Sequence, residues 1–289
     1  MNPTVIHPKK FNAAGCAMRS FFQKKGFIEV HTQNALSILA ACEDPKTITK
    51  YKYNNEDWPL PQTGQMWLED VLLNDPDIEG CFTVSTSYRS EKNPIPGRHE
   101  VIFPMFEFES KGDMETMVQL ESDLLEHIGF EKTSMVDTGE GIERRYPGGN
   151  YYDVMDRFNT DEIEHEHEQE LEKQYGPVFF LRNFPYHTSP FWNMKKNGDI
   201  ACKVDVILHG IETIGSAERS CDPDEMHDQF LTISDGKYAE LLYAEFGRRR
   251  VDDELEKFLS KKFFPRFGGG IGITRMIRAM EKSNLIDTA

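Results

Sequence analysis

The stretch "YRSEKNPIPGRHEVIFPMFEFE" gathers Arg89, Glu91, Arg98, His99 and Phe103 around one turn. On an extended strand Arg89 and Glu91 share a face. Two arginines suit phosphate oxygens, a carboxylate accepts from an exocyclic amine, and an aromatic ring stacks on a base. The same residues also describe a solvated hairpin laced with ion pairs. Near the other end of the chain, "FPRFGGGIGITRMIRAM" places four glycines within five residues, followed by Arg275. The spacing is wrong for a dinucleotide fingerprint, and no lysine follows as a Walker loop requires. Backbone that approaches a ligand closely, with an arginine at a helix entry, remains, beside a plain helix-entry turn.

The elements that must carry these residues follow from apolar periodicity. "PKKFNAAGCAMRSFFQKKGF" reads as an amphipathic helix closed at Gly26, and "FIEVHT" as a strand. "TITKYKY" alternates as a strand, "GQMWLEDVLLNDPD" reads as a helix stopped at Asp75-Pro76, and "METMVQLESDLLEHIGF" as a further helix. "GCFTVSTSYRSE" and "EVIFPMFEFES" are strands separated by the turn "NPIPG", hence an antiparallel hairpin. "TDEIEHEHEQELEKQYG" predicts a polar helix capped by Thr160 or Asp161 and closed by Gly176. Strands run consecutively with helices between groups of them. The class expected is α+β, with a largely antiparallel sheet flanked by helices, as one domain over residues 1–289.

Composition narrows the function classes. The 289 residues carry 33 Lys and Arg against 49 Asp and Glu, a net charge of −16. Such a surface repels polyphosphate on average, so duplex or non-specific nucleic-acid binding is not expected as the main role. Cys16, Cys42, Cys81, Cys202 and Cys221 form no CxxC pair, which suits reduced thiols in the cytoplasm. No apolar run approaches the roughly 18 residues of a membrane helix. His165 and His167 in "HEHE" diverge on a helix and read as a solvated face rather than a zinc site.

As a set, these segments resemble the catalytic core of class II aminoacyl-tRNA synthetases, in particular the aspartyl, asparaginyl and lysyl subgroup. "FFQKKGFIEVHTQ" is similar to motif 1, with Gln33 in place of the usual proline. "YRSEKNPIPGRHEVIFPMFEFE" resembles motif 2, with Ile102 where the family has Glu, and "GGGIGITR" resembles motif 3. "PVFFLRNFP" and "VDVILHGIETIGSAERS" match segments between motifs 2 and 3, so the likeness runs over nearly the whole chain.

The resemblance implies an ATP site in which Arg89 contacts the α-phosphate and Glu91 the adenine, with Arg98 and His99 on the outer phosphates. It further implies that Phe103 stacks on adenine and that Arg275 holds the γ-phosphate side, with Arg89 and Arg275 as the catalytic pair. Asp205 and Glu212, seven apart like the family's two magnesium-binding acids, would hold Mg²⁺, Glu212 also facing ATP. For the amino acid, aspartate or asparagine, the resemblance points to Glu43, Gln65 and Arg219. Leu68 stands where aspartyl enzymes carry Lys, and "TGQ" is nearer the asparaginyl form "SGQ". No protein nucleophile is required, so Ser220 and Cys221 are bystanders.

Motif 1 begins near Phe21, which leaves no room for the family's N-terminal anticodon-binding barrel. The resemblance thereby extends to ammonia-dependent asparagine synthetase, including the form related to asparaginyl-tRNA synthetase, whose motif 3 also reads "GGGIG…R". The leading expectation is an ATP- and Mg²⁺-dependent aspartate–ammonia ligase, with tRNA as a partner not favoured. A minimal asparaginyl or aspartyl tRNA synthetase and a non-catalytic regulatory paralogue are the alternatives. A cytoplasmic homodimer joined through motif 1 is expected.

Overall fold

The computed structural model describes residues 5–33, 36–38, 45–94, 100–137, 139, 141–188 and 191–287. In chain order the first half comprises α1 (Pro8–Lys24), β1 (Ile28–Glu29), β2 (Lys50–Tyr53), β3 (Glu56–Pro59), α2 (Gln65–Asn74), β4 (Gly80–Tyr88), β5 (Ile102–Lys111) and α3 (Met114–Ile128). There follow β6 (Ser134–Asp137), β7 (Ile142–Arg145), β8 (Gly148–Asn150), α4 (Tyr151–Phe158), α5 (His165–Tyr175), β9 (Val178–Pro185), β10 (Lys196–Asn197), β11 (Ile200–Leu208) and β12 (Ile211–Glu218). Helices α6 (Pro223–Thr232), α7 (Lys237–Phe246) and α8 (Arg248–Leu259), strand β13 (Arg266–Gly272) and α9 (Ile273–Lys282) complete it.

One sheet organises the molecule, in the order β1-β4-β5-β13-β12-β11-β9-β8, with β10 beside β11. Its centre is antiparallel throughout, and the outer pairs β1–β4 and β8–β9 are parallel. The fold is therefore the sheet-and-helix arrangement expected, with parallel edges that alternation alone does not reveal. The hairpin β4–β5 pairs Tyr88 with Ile102, as the turn signal predicts.

Period-two alternation sends the two faces of the sheet to different tasks. Phe82, Phe106, Phe108 and Ile271 face α1, α3 and α9, where Phe22 lies 5.0 Å from the Phe106 ring and 5.1 Å from Phe108. Each fully buried phenylalanine there contributes roughly 1.5–3 kcal/mol, which fixes β5 in register. The opposite face is covered in part by α2. Beyond it α6, α7 and α8 pack a second cluster around Trp192, Phe230, Leu242 and Phe258. Helices α7 and α8 are separated at Gly247, whose φ of 86° ends the first and starts the second.

Two local expectations change. Helix α5 starts later than Thr160: Glu164 is its cap, its side chain accepting from the backbone of His167 while Glu164 N–H donates to His167 Nδ1 at 2.9 Å. Residues 161–164 are held out of the helix partly by Tyr151, whose hydroxyl accepts from Ile163 N–H at 2.9 Å. Leu68 does not face an amino-acid pocket. It is fully buried in an apolar cluster with Leu72 and Cys81, because it lies one position round α2 from Glu69.

Candidate active site

The floor of the site is β13. Between β5 and β12 its neighbours reach across it on both faces. A Cβ on Gly268 would sit 1.8 Å from Glu109 Oε1, and one on Gly270 would sit 2.6 Å from Met105 Cε and 3.5 Å from Gln65 Nε2. On the opposite face a Cβ on Gly269 would meet Ser216 Cβ at 2.8 Å and Phe108 at 2.9 Å. The glycine run is thus required by the protein's own side chains.

One wall comes from the β4–β5 hairpin. Arg89 and Glu91 lie just past the end of β4, so strand alternation does not set their direction. Arg89 N–H donates to Val101 O at 2.8 Å, and its guanidinium carbon lies 5.4 Å from the Phe103 ring centre. Arg89 Nε is buried without a hydrogen-bond partner. Beneath it Glu107 accepts from Gly64 N–H at 2.9 Å and Ser85 Oγ at 2.6 Å, and from Thr63 Oγ1. Burial pushes Glu107 above the usual carboxylate range, opposed by these hydrogen bonds and by the Arg89 charge. Arg98, His99 and Glu43 lie outside the described residues.

The second wall explains the seven-residue spacing. Asp205 on β11 and Glu212 on β12 flank a tight turn at His209 and Gly210, whose φ values are 48° and 71°. A shift in pairing between Val206 and Ile207 sets Asp205 opposite Gly215 and Ile207 opposite Glu212. Both carboxylates converge over Gly215, where a Cβ would lie 3.0 Å from Glu212 Oε1 and 3.6 Å from Asp205 Oδ1. Asp205 is pushed up to about 7 by burial, with Lys203 opposing and Glu212 adding to the shift. Arg275 joins them: its Nη1 donates to the Glu212 carbonyl at 2.7 Å and lies 3.9 Å from Glu212 Oε2. Asp205 Oδ1 is buried and accepts no hydrogen bond. Two converging carboxylates, one with a free oxygen, fit Mg²⁺, which takes one or two carboxylates plus phosphate oxygens.

The third wall holds Gln65 and Arg219 together. Arg219 Nη2 donates to Gln65 Oε1 at 2.8 Å and to Glu109 Oε1 at 2.5 Å, and its Nε lies 3.7 Å from Glu69 Oε1. Glu69 in turn accepts from Arg266 at 2.8 Å and from Asn193 at 2.7 Å. All four charged groups are buried. Glu109 is pushed up to about 7 by burial, with Arg219 opposing. Glu69, Glu107, Glu109 and Arg266 do not emerge from the sequence reading. The available signal was the odd-numbered acids of "FEFE", which share a face with Phe103. Outside these walls, Ser220 Oγ donates to Glu225 at 2.9 Å and Cys221 is an exposed thiol whose pKa is raised by burial of its surroundings.

Comparison with known proteins gives the same answer across the chain. A family model described as "tRNA synthetases class II (D, K and N)" matches residues 9–289. The aspartate–tRNA(Asp) ligase of Pyrobaculum aerophilum is 26% identical over 93% of this chain and 63% of its own length. The asparagine–tRNA ligase of Desulfotalea psychrophila is 24% identical over 91% of the chain and 63% of its own. Asparaginyl-tRNA synthetase from Pyrococcus horikoshii, solved with asparaginyl-adenylate, shares the fold with a TM-score of 0.74 at 21% identity, over 95% of this chain and 64% of that one. The chain spans about 63% of the length of the first of these relatives.

These matches overturn the expectation that tRNA is a disfavoured partner, since each relative named is a tRNA ligase or synthetase. That expectation rested on a net charge of −16, an average over the surface that does not describe the field at one site. Use of ATP and Mg²⁺ is a defining feature of the matched family. With its family model covering residues 9–289, the chain belongs to the class II tRNA synthetases of the D, K and N group.

Proposed function

We propose that this chain is the catalytic core of an amino-acid-activating ligase that forms an aminoacyl-adenylate from ATP and delivers the acyl group to tRNA. One observation carries the reading, centred on Gly270 of β13: Gln65, paired to Arg219, reaches over it, the Asp205–Glu212–Arg275 group converges at Gly215 opposite it on β12, and the Arg89 charge acts on Glu107 opposite it on β5. The amino-acid carboxylate attacks the α-phosphorus in line and the bond to pyrophosphate breaks. The terminal tRNA hydroxyl then attacks the acyl carbon and AMP leaves. Two anions must approach in the first step, so fixed positive charge lowers the barrier. Arg89 meets the α-phosphate, Arg275 the outer phosphates, Phe103 and Glu91 the adenine. Arg98 and His99 are assigned to the outer phosphates, and Glu43 to the α-amino group. Asp205 and Glu212 would hold Mg²⁺, which would supply charge neutralisation on the phosphates.

The pocket chemistry favours asparagine over aspartate. Arg219 and Arg266 already face Glu69 and Glu109, so the ionised cluster has no surplus positive charge for an anionic side chain. A neutral amide suffers no such repulsion. The expectations of a homodimer and of a reducing, cytoplasmic setting belong to the same reading. Purified protein with ATP and Mg²⁺ should exchange pyrophosphate in the presence of asparagine and charge tRNA. Asparagine made from aspartate solely when ammonia is supplied would move the reading to an ammonia ligase. No exchange with either amino acid would overturn it.

A further inference from the structure

Lys203 stands two residues before Asp205 on the same face of β11 and is 9% exposed. Its Nζ lies 2.9 Å from Asp205 Oδ2 and 4.1 Å from the centre of the Phe184 ring. The 2.9 Å ion pair fixes the Lys203 amine beside the two carboxylates, with both side chains nearly closed off from solvent. The pairing spends one oxygen of Asp205 and leaves the other, Oδ1, buried and unpartnered beside Glu212. A divalent ion between Asp205 Oδ1 and Glu212 therefore meets a fixed positive charge across a single carboxylate, where like charges repel strongly. The Phe184 face and the ion pair keep that charge in place.

We propose that Lys203 is a resident cation of the Asp205–Glu212 site: it orients Asp205 and weakens divalent-metal binding, so that the metal enters with the triphosphate and not before it. The incoming phosphates bring the negative charge that offsets Lys203. The inference rests on the reading of Asp205 and Glu212 as the metal-holding pair and goes beyond it, because it assigns the order of arrival.

The test is direct Mn²⁺ binding, followed by the electron-paramagnetic signal of free Mn²⁺, on the whole chain without nucleotide. Lys203→Met should tighten Mn²⁺ by about tenfold or more, the effect of removing one like charge at close range. Wild type should reach comparable affinity only with a non-hydrolysable ATP analogue present. Lys203→Arg keeps the charge and should bind as wild type does. Lys203→Gln, which retains a donor to Asp205, carries the same expectation as the methionine variant if that one does not fold. Unchanged or weaker Mn²⁺ binding in folded Met and Gln variants, with Glu212→Gln still impairing binding, overturns the role of Lys203. If Glu212→Gln leaves Mn²⁺ binding unchanged with and without the analogue, the metal-site reading itself falls.

Discussion

Arg219 donates to Glu109 Oε1 at 2.5 Å with neither side chain reaching solvent. The two residues are 110 positions apart and meet across β13, where Gly268 leaves space for the carboxylate. Removing the Glu109 charge leaves Arg219 with surplus positive charge. Glu109→Gln should therefore improve the activation of aspartate relative to asparagine by about tenfold, read from pyrophosphate exchange with each amino acid. An unchanged ratio would show that Glu109 does not set the pocket charge.

The same carboxylate gives the pocket a pH response. Glu109 is pushed up to about 7 by burial. Above that value it is ionised and the cluster is neutral. Below it a proton is taken up and the cluster gains a positive charge. The preference for asparagine should fall as pH drops from 8 to 6, and Glu109→Gln should flatten that trend. A ratio independent of pH in wild type would contradict the assignment.

Arg89 has a buried Nε without a hydrogen-bond partner and the Phe103 ring beside it. Arg89→Ala should lower pyrophosphate exchange by about 10²–10³-fold, the usual loss for one electrostatic stabiliser, with the thermal melt little changed. Turnover near wild type would remove Arg89 from the site.

Two alanine substitutions in one strand should separate by mechanism. Gly268→Ala puts a methyl 1.8 Å from Glu109 Oε1 and must expel a buried, paired carboxylate, a cost of about 3–5 kcal/mol. Gly270→Ala meets the end of the flexible Met105 side chain at 2.6 Å, which can turn away for about 1–3 kcal/mol. Denaturant melts of the two should differ in that order, and equal losses would argue against the placement of Glu109.

On the helical side of the sheet, burial pushes Glu121 up to about 8 from 4.5, with Ser216 and Arg182 opposing. The folded state then keeps a proton that the unfolded chain gives up. Its stability contribution is full below about 4.5 and is lost as pH rises through about 8. Wild type should lose melting temperature between pH 6 and pH 9. Glu121→Gln should reduce that slope and melt higher than wild type at pH 9.

Much of this architecture is legible in the sequence because it is local. The β4–β5 hairpin and the helix at Gln65 follow from turn chemistry and periodicity, which act locally, while the Asp205–Glu212 pair is picked out by the family resemblance. The Glu69–Arg219–Glu109–Arg266 cluster is not local, since its partners lie 110 to 197 positions apart. Alternation in "FEFE" marks one face as polar, and a polar face ordinarily meets water. Here α2 covers it, and two arginines from distant strands make the burial tolerable. Lys203 is hidden for the same reason, as a lysine in "ACKVDV" reads as a surface charge until Phe184 and Asp205 are seen around it. The short α4 also escaped, its eight residues offering too few turns for a period to show.

Strand β13 pairs with β5 from Arg266 to Gly272 and with β12 from Phe267 to Ile271, so its backbone amides and carbonyls are engaged within the sheet. Its glycines add no side chain above that plane. The space that side chains there would take is filled by the strand's neighbours: Glu109 over Gly268, Met105 and Gln65 over Gly270, and Ser216 and Phe108 over Gly269. A methyl on this strand would therefore displace side chains contributed by β5, α2 and β12, so the strand's bareness serves the packing of the residues around it.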